Sequence, residues 1–69
     1  MYMALFKERL KELRVEKGLS QIQLAKSLGM KHANISRWEN GLQDPTATNI
    51  IKIARFFNVT AGYLLGEED

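Results

Sequence analysis

With 69 residues, 45% of them apolar, the chain can bury one small core, and no second, catalytic domain is expected. Zero cysteines exclude a disulfide framework and thiolate metal sites. No apolar run approaches the roughly 20 residues that span a bilayer, and the N-terminus lacks a leader's hydrophobic run, so a soluble, unprocessed, cytoplasmic protein without a membrane partner is expected. A net charge of +2 names no partner by itself.

A first helix is predicted from about Met3 to Lys17, because Phe6, Leu10 and Leu13 recur at i, i+4 and i+7, with Gly18 as its stop. Glu8, Glu12 and Glu16 form a row opposite that stripe, while Lys7 and Lys11 lie along its flank; both sets read as solvated surface. Arg14 sits at the edge of the stripe, where its stem can pack and its planar head can turn inward. It needs a carboxylate there.

Ser20 and Gln23 have the spacing of a capping box, so a second helix begins at Gln21. Leu24, Ala25 and Leu28 mark its buried face, and Gly29 closes it in the left-handed conformation. A third helix follows from about His32 to Asn40, with Ile35 and Trp38 directed at the core and Asn40-Gly41 as the stop. Small Ala25, the corner at Gly29 and the β-branched wedge Ile35 are the spacing of a helix-turn-helix. Charge follows the same division. Between Glu16 and Glu39 there is no acidic residue, whereas Lys17, Lys26, Lys31 and Arg37 fall inside that interval. A polyanion would meet the middle of the chain and avoid its acidic ends.

Leu42-Gln43-Asp44-Pro45 reads as a loop, and Thr46 caps a fourth helix whose buried face is Ala47, Ile50, Ile53, Ala54 and Phe57. Asn58, tolerant of positive φ, ends it. Thr60 then caps a short fifth helix, Ala61 to Leu65, in which Leu64 or Leu65 closes the core and Gly62 weakens the helix by roughly 1 kcal/mol. Ile51, Phe56 and Tyr63 are left incompletely buried. There is no strand signal, repeat or low-complexity segment.

Leu13, Arg14, Gly18 to Gln21, Leu24, Ala25, Gly29, Ile35 and Arg37-Trp38-Glu39-Asn40-Gly41, continued by Pro45, Ala54, Val59 and Leu64-Leu65-Gly66, resemble the DNA-binding domains of Cro and phage-repressor-like regulators, the Xre family. The resemblance implies an all-α, compact five-helix bundle of the lambda-repressor type over residues 1–66, with the helix-turn-helix at its second and third helices and an acidic tail over 67–69. It implies a nucleoid-associated, sequence-specific regulator of double-stranded DNA, a repressor on an inverted-repeat operator rather than an enzyme, with no cofactor or small-molecule ligand. The alternative is a protein-interaction module on the same fold, an antitoxin or anti-repressor partner, working through Ile51, Phe56 and Tyr63.

The resemblance also places roles residue by residue. His32, Ala33, Ser36 and Arg37 share the outward face of the third helix and correspond to base-contacting positions. Arg37 can take O6 and N7 of a guanine with its guanidinium fork, or merely touch phosphate; His32 can donate to a guanine or meet a phosphate. Ala33 offers a methyl group to thymine, and Ser36 is permissive. Gln21 corresponds to a phosphate contact that can also brace His32, and Lys31, Asn34 and Asn40 are further phosphate candidates, with simple solvation open for Asn34 and C-capping for Asn40. Arg14 corresponds to an arginine paired with the glutamate at Glu39, a tie between the first and third helices. Two positions depart from the family: Lys31 stands where serine or threonine usually caps, and the loop after Gly41 carries Asp44 where a basic residue is common. A single recognition helix spans too few base pairs to discriminate a genomic site, so a homodimer on DNA is expected, with Leu42, Tyr63 and Leu64 as its interface unless they finish the monomer core. The acidic tail opposes association in free solution.

Overall fold

Local chemistry sets the helix boundaries. The Ser20 hydroxyl accepts from the Gln23 N–H at 3.0 Å while Gln23 Oε1 accepts from the Ser20 N–H at 2.8 Å, and the helix α2 (Gln21–Leu28) starts there. Thr46 accepts from the Asn49 N–H at 3.2 Å to open α4 (Ala47–Phe57), and Thr60 from the Tyr63 N–H at 3.0 Å to open α5 (Ala61–Leu65). Helices α1 (Phe6–Glu16) and α3 (His32–Glu39) begin at Leu5 and Lys31 without a side-chain cap. The computed structural model describes residues 5–69, so the expected start at Met3 lies outside the described residues.

Helix ends are equally local. Gly29 adopts φ 68°, which lets the Met30 N–H reach back to the Ala25 carbonyl at 2.9 Å and turns the chain toward α3. Asn58 does the same at φ 56°, with the Val59 N–H on the Ala54 carbonyl at 2.9 Å; it is the non-glycine residue with positive φ among the described residues. Asn58→Ala is expected to cost about 1 kcal/mol and Asn58→Gly next to nothing, because the cost comes from a Cβ in the left-handed region. Urea unfolding of the two variants checks this, and equal losses would place the effect elsewhere.

The five helices enclose one core. Leu10, Leu24, Ile35, Ile53 and Leu64 are fully buried, with Phe6, Ala25, Leu28, Trp38, Ile50 and Ala54 around them. Phe6 meets Trp38 edge to face, ring centroids 6.3 Å apart, which joins α1 to α3. Helix α3 packs against both α1 and α2, so its placement is determined from two sides. The all-α, five-helix bundle has the expected architecture, and no strand occurs among the described residues. One expected core position is corrected: Ala47 is exposed, because it is the first residue of α4, a turn before the point where Ile50 reaches the core, and Pro45 is buried in its neighbourhood instead.

Candidate nucleic-acid interface

Ile35 and Trp38 anchor α3 in the core at 0% and 3% exposure. The opposite side of an eight-residue helix is then committed to solvent: His32, Ala33 and Arg37 are exposed and Ser36 is half-buried beside them. Lys31 is exposed at the N-cap position, Asn34 is half-buried, and exposed Asn40 caps the C-terminal end, its Nδ2 3.4 Å from the Ser36 hydroxyl.

A polar chain links this face to the inside of the molecule. Arg14 Nε donates to Glu39 Oε2 at 2.6 Å and Nη2 donates to Oε1 at 2.9 Å, a bidentate pair, while Nη1 donates to the Leu19 carbonyl at 2.8 Å. The two side chains are only 12% and 3% exposed. Gln21 Nε2 donates to Glu39 Oε1 at 3.1 Å, and Gln21 Oε1 stands 3.0 Å from His32 Nε2. Helices α1, α2 and α3 are therefore joined through one set of side chains that runs from the core to the recognition face.

The hydrogen bonds that Arg14 donates to Glu39 raise the Arg14 pKa above its ordinary value; burial opposes this, and the charge of Glu39 adds to it. A raised basic pKa gives stability that is present below the unfolded-state value and is lost as pH rises through the folded one. On the arginine's side the tie is thus constant through the neutral range and weakens in strong alkali.

Other placements were not legible from the pattern. Lys7, read as solvated surface, lies over the backbone at Gly41, where an added Cβ would stand 3.2 Å from the Lys7 Cδ. A cation therefore reaches the loop after α3, whose own sequence is acidic. Lys17 instead turns to Phe56, with Nζ 5.3 Å from the ring centroid. Arg9 places its guanidinium 4.3 Å from the Tyr63 ring centroid and donates to the carbonyls of Tyr63 and Glu68, and Thr60 donates to Glu68 at 2.9 Å. The acidic end is drawn back onto α1 and α5. No local signal marks Arg9 or Lys7, since both contacts form between residues far apart in the chain.

The expected dimer surface is corrected at one position. Leu64 is fully enclosed in the monomer core, because in a five-residue helix it is the side chain directed at the bundle, while Leu65 is half-buried. It is therefore not available to a second copy. Leu42 remains 76% exposed, and Tyr63 is half-buried.

Comparison with known proteins gives concordant matches. The helix-turn-helix family (HTH_3) matches residues 10–64. The HTH-type transcriptional regulator ImmR of Bacillus subtilis (strain 168) is 34% identical over 62 residues, covering 90% of this chain and 49% of that protein. The chain spans about half or less of the length of the first curated relatives it matches. Among solved structures, the restriction-modification controller protein C.AhdI from Aeromonas hydrophila has a TM-score of 0.80 at 34% identity, with 90% of this chain and 94% of that chain covered. The P22 c2 repressor, solved in complex with a synthetic operator, has a TM-score of 0.84 at 25% identity over 91% of this chain and 96% of its own. No described helix is long and apolar enough to cross a membrane.

Proposed function

Because the chain belongs to the Xre-type helix-turn-helix family of DNA-binding transcriptional regulators, we propose that it is a sequence-specific repressor that occupies an inverted-repeat operator as a homodimer. The observation that carries this reading is the composition of the α3 face. His32, Ala33, Ser36 and Arg37 stand outward between Lys31 and Asn40, and the one carboxylate of α3, Glu39, is turned inward and paired with Arg14. A phosphate backbone meets donors there without meeting a free negative charge.

Arg37 is the base reader, its fork matched to O6 and N7 of guanine. Lys31, Asn34 and Asn40 hold phosphates at the two ends of α3, and Lys7 over Gly41 supplies the cation that the Leu42-Gln43-Asp44 loop lacks. Gln21 at the start of α2 keeps one amide hydrogen free for a phosphate after bonding Glu39. Two copies with recognition helices about 34 Å apart read the two halves of an inverted repeat, with Leu42 and Tyr63 at the twofold axis. The protein works by occupancy and catalyses nothing.

Selection of duplexes from a random library tests these roles. Arg37→Ala is expected to relax the preference at one base pair per half-site, whereas Lys31→Ala weakens every sequence alike. Native mass measurement on a selected inverted repeat is expected to show two copies per duplex. Unchanged preferences in Arg37→Ala would remove its reading role, and one copy per inverted repeat would remove the dimer.

A further inference from the structure

Gln21 stands between two partners of opposite demand. The Glu39 carboxylate, held by Arg14 at 2.6 and 2.9 Å, can only accept hydrogen bonds. The Gln21 carboxamide must therefore present Nε2 to it, at 3.1 Å; the flipped amide would set two oxygens against each other at that distance. This orientation leaves Oε1 facing His32 Nε2 at 3.0 Å, and an amide oxygen also only accepts. The ring nitrogen opposite it has to carry a proton.

We infer that the partly buried Arg14–Glu39 pair, acting through Gln21, fixes the tautomer of His32 on the recognition face, so that Nε2 is the donor and Nδ1 is left as a hydrogen-bond acceptor for DNA. This rests on the DNA-binding reading and names what the site selects. In the major groove guanine presents only acceptors, N7 and O6, which repel a lone pair, whereas adenine N6 and cytosine N4 are donors. Neutral His32 therefore selects an adenine or cytosine amino group, not the guanine that its residue type alone suggests. Gln21 and Glu39 are positioning residues in this scheme: neither reads the base, and both decide which atom does.

The chain has a single histidine, so its ring can be observed without ambiguity. Long-range proton–nitrogen correlation on the free protein, at the alkaline plateau of the ring's titration, is expected to show the Nε2-protonated tautomer alone. Gln21→Ala and Glu39→Gln are expected to admit the Nδ1-protonated form, with the helical circular dichroism recorded alongside; Gln21, half-buried at a helix start, keeps the test intact should Glu39→Gln unfold. A mixture in the wild type, or a tautomer unchanged in Gln21→Ala, overturns the lock. Library selection at the same pH is expected to show adenine or cytosine at a position whose preference disappears in His32→Ala, with guanine there weakening binding on the order of tenfold. Guanine at that position, or no position that changes in His32→Ala, overturns the base readout. A wild-type protein that selects no duplex overturns the DNA-binding reading itself and the base readout with it, while the tautomer of the free protein decides the lock separately.

Discussion

Glu39→Ala is expected to destabilise the protein by about 2–3 kcal/mol, somewhat below the usual cost of stranding one member of a fully buried ion pair, because this pair is partly buried. Arg14 is 12% exposed and would keep only its bond to the Leu19 carbonyl. Gln21 would lose its acceptor in the same step. Against the 5–15 kcal/mol typical of a whole small domain, such a loss brings the fold closer to its unfolding threshold. Arg14→Ala has a comparable effect in reverse, because Glu39, at 3% exposure, would be left with Gln21 as its remaining donor. The double replacement removes both charges, so it should cost about 1–3 kcal/mol less than the sum of the two single changes. Urea unfolding of the four proteins measures the difference. Additive losses would mean that the pair is not energetically coupled, whatever its geometry.

The second large effect is on the ionic-strength dependence of binding. Among the cations of the helix-turn-helix segment, Lys26, Lys31 and Arg37 are exposed, and Lys7 joins them at the Gly41 loop. If three or four of these displace counterions, affinity per protomer falls on the order of a hundredfold between about 50 and 200 mM salt. An apolar surface behaves differently. A protein-interaction module working through Ile51, Phe56 and Tyr63 would bind its partner with little salt dependence, and Phe56 is already engaged in the monomer, edge to face with Phe57 at 5.0 Å and beneath Lys17. Fluorescence anisotropy with a selected duplex across that salt range separates the two: a flat response would favour the interaction module.

How much of this was legible in the sequence follows the distance over which each feature is decided. Ser20 with Gln23, Gly29, Thr46, Asn58 and Thr60 set helix ends through bonds within a few residues, so residue type and spacing were enough. The Arg14–Glu39 pair is 25 residues apart, and only the family resemblance carried it. Periodicity showed that a leucine of α5 must enter the core but not which, because a five-residue helix offers too little pattern to fix its rotation. Ala47 has the spacing of the α4 face, yet as the first residue of the helix it stays exposed a turn before Ile50, and spacing alone does not show where along a helix the packing begins. Arg9 on α5 and Lys7 over Gly41 depend on how α1 lies across the bundle, which neither composition nor periodicity encodes.

The most direct measurement of the central claim, that the outward face of α3 is the DNA-reading surface, is a nuclear magnetic resonance titration of the labelled protein with a selected duplex. Amide and side-chain shifts are expected to move at Gln21, Lys31, His32, Ala33, Ser36 and Arg37 and to stay in place around Ile51 and Lys52 on α4. Shifts concentrated on α4, with the α3 face unmoved, would contradict it.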